Sequence, residues 1–328
     1  SWGYRGVQTP LLDDYETYRD HIEPQLLNES YRLIDRSGKI MLLRSDSTLF
    51  LTSQLGRHLC TDELPLRLCY ADTIVRYQSD EEIYNGSGFQ TGAELIGIAG
   101  TEGDAEILLL AAAIFRQLSI AETALHIGSR QLIREMWPSC DRGELNKIAD
   151  AVRLRQFEQL SAFPAPANMK LNQSISLLSL IAESNTATET LARIAPDLPT
   201  KVQIEADRII YLAQLVQELE PQVDVRVDFS ETGSRAYYSG MAFQIYCRGA
   251  AQAAASGGRY DHLLKNFGCD SPSVGFSLMQ QIIEPLASLA GDDTKAKRAI
   301  AAGNSTDDFR SRYLAAQKIR QEGKAAHI

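Results

Sequence analysis

Strand patterns occur in two separate parts of this chain, and a long block with only helical patterns lies between them. Apolar residues alternate with polar ones in 1–126 and again in 221–290, as in strands with one buried face. From 127 to 220 the apolar spacing is helical, with prolines at several joints. We therefore predict an α+β protein: an antiparallel sheet flanked by helices, an all-helical insertion, and a partial α/β segment at 291–328.

The first part is predicted to contain a hairpin, a capped helix and two long strands. Residues 30–44 alternate on both sides of the turn Asp35-Arg36-Ser37-Gly38, which indicates a β-hairpin. The residues Ser45-Asp46-Ser47-Thr48 are typical of a helix start, and we expect this helix to end near Leu59. Two strands and an amphipathic helix are then expected, at 65–78, 88–98 and 104–118.

The second part ends in a glycine pair and a predicted helix. Strands are expected at 223–228 and 236–247, and Gly257-Gly258 is expected to form a turn that lets the backbone approach a small ligand. A helix is predicted from Phe276 to Leu289. No lysine or arginine occurs between Asn266 and Thr294. The tail begins with a linker at 291–295 and continues as strand, helix and strand, which is too short for a whole domain.

Composition narrows the classes of function. The chain has 42 acidic and 33 basic residues and a net charge of −9, which disfavours a nucleic-acid partner. Its five cysteines and five histidines are scattered, so we expect reduced thiols in the cytoplasm and no metal site. No apolar run approaches the roughly 20 residues that span a bilayer, so no membrane association is expected. Nothing in the pattern calls for a cofactor.

Several polar residues have both a structural and a ligand-binding interpretation. In Gln90-Thr91-Gly92-Ala93-Glu94 the amide, the glycine and the carboxylate share one strand face, which leaves room for a ligand or is simply a solvated face. Asp46 is either the cap of the predicted helix or a ligand carboxylate. Arg76 is an ordinary sheet-edge arginine or an anion-binding group. Tyr237-Tyr238 is a strand pair with one ring in the core, or part of a pocket.

Six segments, taken in order, resemble the catalytic domain of histidyl-tRNA synthetases from near its first motif to its third. The similarity covers about residues 1–120 and 220–290, with a helical insertion between them, as in that family. The segments are Leu-Leu-Arg-Ser-Asp-Ser-Thr (42–48), Pro-Leu-Arg-Leu-Cys-Tyr (65–70), Val-Arg-Tyr-Gln (75–78), Gln-Thr-Gly-Ala-Glu-Leu-Ile-Gly (90–97), Tyr-Tyr-Ser-Gly (237–240) and Gly-Gly-Arg-Tyr-Asp (257–261).

This resemblance implies a pocket shaped for histidine. Asp46 stands where the family has a glutamate that holds the α-amino group, with Thr48 beside it, and Gln90 and Glu94 match the amide and carboxylate that grip the amino acid. Arg76 matches an arginine that pairs with a carboxylate or phosphate. The remaining residues that the resemblance places in the pocket are Tyr237, Tyr238, Arg259 and Tyr260.

The chain departs from the family where ATP is held. The loop at 79–87 carries Asp80, Glu81 and Glu82 in place of basic residues, and these carboxylates would repel a triphosphate. The family's activating arginine falls on Gly233 and its acidic neighbour on Ala236, while Arg235 could substitute in part. The arginine of the third motif falls on Ile282. Adenylation needs cations aimed at phosphates, so these losses argue against a synthetase.

A non-catalytic relative of that synthetase fits these departures better. The chain is similar to the regulatory subunits of ATP phosphoribosyltransferase, the first enzyme of histidine biosynthesis, and Asp at position 46 is in keeping with that family. This resemblance implies a homodimer within a hetero-oligomer, a short catalytic subunit as partner, and L-histidine as a possible ligand. Two alternatives stay open: a divergent histidine–tRNA ligase, and a stand-alone amino-acid-binding paralogue.

Overall fold

The computed structural model describes residues 2–59, 63–77, 87–120, 122–287, 299–301 and 308–328. Its strands are β1 (Arg5–Gly6), β2 (Leu12–Asp14), β3 (Arg32–Ile34), β4 (Ile40–Leu43), β5 (Leu66–Val75), β6 (Ser87–Ile96), β7 (Thr123–Ser129), β8 (Ile181–Ala182), β9 (Asp224–Asp228), β10 (Met241–Cys247), β11 (Ala255–Arg259), β12 (Ser273–Met279), β13 (Ala299–Ala301) and β14 (Ala325–His327). Its α-helices are α1 (Glu16–Arg19), α2 (Pro24–Asn28), α3 (Ser47–His58), α4 (Gly100–Gln117), α5 (Arg130–Met136), α6 (Arg142–Arg153), α7 (Leu171–Leu178), α8 (Ser184–Ile194), α9 (Thr200–Leu219), α10 (Leu263–Asn266), α11 (Gln280–Ile283) and α12 (Phe309–Gln321).

The central element is a nine-stranded sheet in the order β1-β5-β6-β12-β11-β10-β7-β9-β8. Its pairs are antiparallel except β1 with β5 and β7 with β9. Two long neighbours, β5 and β6, pair in register from Leu66 opposite Ile96 to Val75 opposite Ser87. A separate three-stranded sheet, β2-β4-β3, contains the predicted hairpin. The predicted antiparallel sheet flanked by helices is therefore confirmed.

The two faces of the large sheet pack against different elements. On one face α4 and α9 pack in a large core with apolar side chains such as Leu108, Ile209 and Phe243. On the other face α3 packs in a second core, where Phe50 meets the strand residues Leu66 and Leu68. This second face also carries the polar residues that the sequence singled out, so the site lies on the side away from α4 and α9.

The predicted helix at 276–289 is wrong over its first four residues, 276–279. Residues 273–279 form β12, which pairs with β11 on one side and β6 on the other. Val274, Phe276 and Leu278 alternate with small residues, and this period of two suits an interior strand better than a helix. The helix here, α11, begins only at Gln280 and spans four residues.

Three other local predictions are also wrong. Gly257 and Gly258 lie inside β11 instead of forming a turn, because this segment pairs with β10 on one side and β12 on the other. A Cβ on Gly257 would lie 2.5 Å from the Phe243 and Phe276 side chains, so the close packing of these rings explains the glycine. Residues 236–240 are irregular, and the strand begins only at Met241. The block at 127–220 is not purely helical: β7 continues to Ser129, and β8 pairs with β9.

The C-terminal tail forms the predicted strand, helix and strand. β13 and β14 pair in parallel, and α12 lies between them in sequence. Its Tyr313 hydroxyl donates to Glu220 at 2.6 Å, and Arg320 lies 3.6 Å above the Trp2 ring. The predicted linker at 291–295 lies outside the described residues.

A buried charge network joins the sheet to the helices. The Asp104 side chain, on α4, has no exposed surface and accepts a hydrogen bond of 2.8 Å from Arg259 Nε of β11. Arg208 of α9 binds the other oxygen of Asp104 and also pairs with Glu205. Glu205 in turn accepts from the Ser129 hydroxyl at the end of β7. A buried carboxylate is stable only with such partners, so the network fixes the positions of the elements that carry it.

Asp104→Asn should therefore destabilise the fold strongly. It leaves Arg208 and Arg259 with an uncharged partner in a buried site, and we expect a loss of about 3 kcal/mol or more in the free energy of unfolding. Asp150→Asn is the control, because Asp150 forms a half-exposed ion pair with Arg153 and its loss should cost less than about 1 kcal/mol. Urea unfolding of both variants measures the difference. Equal losses would show that the Asp104 network does not stabilise the fold.

Candidate functional site

The candidate site is a groove of about 1120 Å³ on the face of the sheet that carries α3. It runs from the start of α3, across β6 and β12, to β10 and α11. Arg259 does not line it, because its guanidinium points to Asp104 and to the carbonyls of Ile98 and Gly100. The other eight residues predicted from the sequence line the groove: Asp46, Thr48, Arg76, Gln90, Glu94, Tyr237, Tyr238 and Tyr260.

Asp46 caps α3 and also faces the groove. Its Oδ1 accepts from the Leu49 backbone N–H at 3.2 Å, which caps α3. Its Oδ2 faces the groove, where the Tyr237 hydroxyl donates to it at 3.4 Å. One carboxylate therefore both starts the helix and presents a negative charge to the groove.

Two arginines stand beside Asp46. Arg235 Nε lies 3.3 Å from Asp46 Oδ2, and Arg235 Nη1 donates to Glu29 at 2.7 Å. Arg76 donates from Nε to the Ser45 carbonyl at 2.8 Å, and its Nη2 lies 3.8 Å from Asp46 Oδ2. Burial and the neighbouring Arg235 lower the pKa of Arg76 to about 10. The two arginines of the wall thus lie at short range from two carboxylates, of which Asp46 lines the groove and Glu29 does not.

Glu94 lies at the bottom of the groove with three hydroxyl groups around it. Thr48 donates to its Oε1 at 2.6 Å, Tyr70 lies 3.4 Å from the same oxygen, and Tyr260 donates to Oε2. Burial raises the pKa of Glu94 to about 8, although the Thr48 and Tyr260 bonds work against that rise. Burial therefore favours the protonated form of this carboxyl group over the form it takes in water.

The amide of Gln90 is held in place by the start of α3. Its Oε1 accepts from the Ser47 backbone N–H at 2.9 Å, which leaves the amide NH₂ as its donor toward the groove. Gln90 and Glu94 share a strand face, as the alternation predicts. The glycine between them does not provide room for a ligand. A Cβ on Gly92 would lie 2.3 Å from the Tyr70 hydroxyl, so that ring occupies the space.

The three predicted tyrosines form one aromatic group. Tyr237 packs edge-on against Tyr238 and Tyr260, with ring centroids 5.2 Å and 5.8 Å away. All three rings are buried at the wall of the groove, and the hydroxyls of Tyr237 and Tyr260 reach Asp46 and Glu94. The aromatic surface and the two acidic groups are thus parts of one pocket.

Sequence reasoning missed Tyr70 and Glu29. Tyr70 shares its strand face with Leu66 and Leu68, so alternation placed it on the correct side. Only the register, which sets Tyr70 opposite Gly92, brings it to Glu94. Glu29 follows the short helix α2 and reaches Arg235 across 206 positions of sequence, and no local pattern indicates that contact.

The structure also describes most positions where the chain departs from the synthetases. Gly233 has φ +83°, and a Cβ there would lie 2.2 Å from the Tyr238 ring, so Tyr238 occupies the place of a longer side chain. Ile282 lines the groove and packs against the large core. Among the described lining residues, Arg76 and Arg235 are the only cations. Asp80, Glu81 and Glu82 lie outside the described residues.

Neither a metal-binding cluster nor a membrane-spanning helix is present in the described part of the chain. No group of three or more His, Cys, Asp or Glu side chains is arranged there to hold a metal ion. No helix in those same ranges is both long enough and apolar enough to cross a membrane.

Fold and groove together define a protein of the histidyl-tRNA synthetase type. The family model for histidyl-tRNA synthetase matches residues 1–283. A crystal structure described as an ATP phosphoribosyltransferase regulatory subunit/histidyl-tRNA synthetase from Bacillus halodurans C has the same fold, with a TM-score of 0.71 and 22% identity. The match covers 99% of this chain and 84% of that one.

Within that class, the chain belongs to the family of ATP phosphoribosyltransferase regulatory subunits. The protein of that name from Bacillus velezensis is 30% identical over 300 residues, which is 87% of this chain and 73% of the relative. The fold is also similar to a chain of the ATP phosphoribosyl transferase (HisG:HisZ) complex from Thermotoga maritima, with a TM-score of 0.58 and 18% identity. That match covers 84% of this chain and 91% of the other.

The buried Glu94 predicts a specific dependence of stability on pH. Its pKa rises on folding from 4.5 to about 8, so the stability that its proton provides is complete below about pH 4.5 and is lost as the pH rises toward 8. Glu94→Gln should lack this loss. Relative to the variant, the wild type should lose up to about 5 kcal/mol of unfolding free energy across that window.

Urea unfolding at several pH values between these limits measures the effect. Glu231→Gln is the control, because burial raises the pKa of Glu231 only to about 7. The pH range over which Glu231 reduces stability therefore ends at a lower pH than that of Glu94. If the free energies of unfolding of the wild type and Glu94→Gln differed by the same amount at every pH, this result would contradict the raised pKa of Glu94.

Proposed function

We propose that this chain is a non-catalytic regulatory subunit that binds L-histidine in the groove and acts with the short catalytic subunit of ATP phosphoribosyltransferase. One observation carries the proposal: the groove keeps the carboxylates and tyrosines of an amino-acid pocket but has few cations for a nucleotide. Its family and the sequence resemblance support the choice of histidine and of the partner.

The chemistry of histidine fits the two acidic ends of the pocket. Asp46 Oδ2, buried and facing the groove, is suited to an α-ammonium group. Glu94 and the surrounding tyrosine rings are suited to an imidazole, which presents flat apolar faces and two nitrogen atoms. The Gln90 amide lines the same groove.

Proton balance also favours an imidazole beside Glu94. At pH 7 free imidazole is mostly neutral, with a pKa near 6.5, and burial favours the protonated form of the Glu94 carboxyl group. In the bound pair, the two groups share one titratable proton. Either the carboxyl group holds it beside a neutral imidazole, or the imidazolium holds it beside a carboxylate. Histidine can therefore bind at neutral pH without net uptake or release of a proton at this pair.

The same groove is poorly suited to adenylation. Transfer at a phosphate needs preorganised positive charge, and the loss of one such donor typically costs about 10²–10³ in rate. Here the two described cations of the lining, Arg76 and Arg235, already face Asp46 and Glu29. The side chains farther along the groove include Gln244, Ser256 and Ser277, which are uncharged. We infer from this balance of charge that the chain does not catalyse adenylation.

Calorimetric titration with L-histidine, followed by ATP, tests the function. We expect micromolar histidine binding and no heat from ATP. Asp46→Ala and Glu94→Ala should each abolish binding while leaving the fold nearly unchanged. Because Asp46 also caps α3, a cap substitution alone costs about 1 kcal/mol, so Asp46→Asn separates the lost charge from the lost cap.

Glu122→Ala is the control, since Glu122 lies in an exposed ion pair with Arg248 outside the groove. Wild-type affinity in both pocket variants would refute the pocket. Binding of both histidine and ATP, with pyrophosphate exchange, would instead support a divergent histidine–tRNA ligase, which the match to the synthetase family model keeps as the second candidate.

We propose also that two copies pair within the hetero-oligomer. The small sheet β2-β4-β3 and its surroundings expose apolar side chains that a folded monomer would leave in water. They are Leu11, Leu12, Tyr31, Leu33, Ile34, Ile40 and Tyr77. Ile34 is 77% exposed, so Ile34→Lys should fold normally and shift the sedimentation coefficient from dimer to monomer. Sedimentation of the wild type as a monomer would refute the pairing.

A further inference from the structure

A second cavity lies on the face of the large sheet opposite the groove, and we call it the back cavity. It encloses about 260 Å³ between the sheet, α4 and the first residues of the chain. Cys69 of β5, Thr91 of β6 and Leu278 of β12 line it on the side of the sheet. Leu110 of α4 and the ring of Trp2 line it on the other sides.

The back cavity and the groove lie on opposite faces of the same strand. Gln90 and Glu94 of β6 line the groove, whereas Thr91 and Ala93, which alternate with them, line the back cavity. A molecule in the back cavity would therefore be separated from the groove by the thickness of the sheet. This second space does not depend on the proposed histidine pocket.

The lining of the back cavity is apolar and uncharged. None of the described lining side chains carries a charge. The Tyr4 hydroxyl is already used, since it donates to Glu106 at 3.0 Å. Burial raises the pKa of the Cys69 thiol, which therefore stays neutral at pH 7. A charged ligand would lose its hydration here without gaining a partner of opposite charge.

Thr91 supplies one free polar group. No hydrogen bond joins its hydroxyl to any of the described residues, and its side chain is only half-buried. A threonine hydroxyl both donates and accepts. It can therefore bind one polar group of a ligand that is otherwise apolar.

The size of the back cavity suits an aromatic ligand. Protein interiors contain few voids larger than a water molecule, because an empty apolar space loses packing contacts. An apolar cavity of about 150 Å³ in another protein stays dry and binds benzene. The back cavity is larger, and Trp2, Cys69 and Ile114 in its lining are only half-buried, so it is open on one side. One ring or two fused rings would fit.

The aromatic wall of the back cavity is held in place before any ligand binds. The Arg320 guanidinium lies 3.6 Å above the Trp2 ring, and the Tyr313 ring lies 5.8 Å from it. Both residues belong to α12, so the C-terminal helix fixes the orientation of this wall. A ring that is already ordered costs little further entropy on binding and offers a face for another ring.

We propose that the back cavity is a binding site for a neutral aromatic molecule of one or two fused rings, with one polar group that bonds to the Thr91 hydroxyl. Contacts with Trp2 and the apolar side chains supply the affinity, and Thr91 orients the ligand. Anionic and cationic aromatic molecules are rejected, since the described lining has no charge to receive them.

Calorimetric titration of the wild type at pH 7 with 2-naphthol and with 2-naphthoate tests the site. The two molecules share the same two rings, but only 2-naphthoate is charged. We expect a dissociation constant below about 1 mM for 2-naphthol. No measurable heat is expected from 2-naphthoate at the same concentrations. Absence of 2-naphthol binding, or equal affinities for the two molecules, would overturn the inference.

Two variants place the ligand in the back cavity. Ala93→Leu fills the space and should abolish 2-naphthol binding. Thr91→Val keeps the shape of the side chain but removes the hydroxyl, so binding should weaken about 5-fold. Ala162→Leu is the control, because it adds the same side chain at an exposed position outside the cavity, and it should leave affinity unchanged. Thermal unfolding shows whether each variant is folded, and wild-type affinity in both Ala93→Leu and Thr91→Val would overturn the site.

Alkylation by iodoacetamide, followed by mass spectrometry, locates the ligand directly. Cys69 is half-buried at the cavity, and saturating 2-naphthol should slow its alkylation at least about 5-fold. Cys140 is buried elsewhere and serves as the internal control, whose rate should not change. An unprotected Cys69, or displacement of 2-naphthol by L-histidine, would place the ligand outside the back cavity and overturn the inference. Failure of histidine to bind would refute the proposed function alone.

Discussion

The buried carboxylate of Asp104 is the interaction on which the rest of this structure depends. It has no exposed surface, and its two arginines come from β11 and α9, which are far apart in sequence. Arg259 immediately precedes Tyr260, and Tyr260 donates to Glu94 in the groove. Because Arg259 also donates to the backbone carbonyls of Ile98 and Gly100 at the start of α4, its position fixes both the packing of the helices and the placement of one pocket tyrosine. The core and the site are thus joined by one ionic network.

Backbone pairing explains how Tyr260 stays in that position. Its N–H donates to the Ser273 carbonyl at 2.8 Å, and the next residue, Asp261, accepts from the Ser273 N–H at 3.0 Å. Gly275 on the same strand has no room for a side chain, since a Cβ would lie 1.6 Å from Glu94 Oε2. The interior strand β12 therefore forms the support beneath Glu94. A helix over these residues, as the sequence suggested, could not provide it.

Much of the site could be predicted from the sequence, because each motif lies on one element with a regular period. Gln90 and Glu94 share a strand face, and Asp46 begins a helix, as the local pattern indicates. Contacts between distant segments could not be predicted in this way. Arg259 belongs to the same motif as Tyr260, which lines the groove, yet its guanidinium binds the Asp104 carboxylate on another element. The helix predicted at 276–289 failed for a similar reason, since pairing on both edges of β12 outweighs local propensity.

The ion pairs of Arg235 show how a pocket of this kind is connected to a surface. A ligand shifts an equilibrium only if it binds one state better than another. Arg235 lines the groove and donates to Glu29, whose backbone carbonyl accepts from the Tyr77 N–H at 2.8 Å. Tyr77 packs edge-on against Tyr31, and both rings are exposed beside the small sheet. One side chain and one backbone hydrogen bond therefore separate the pocket wall from an exposed aromatic pair, and this route to the surface does not pass through the buried core.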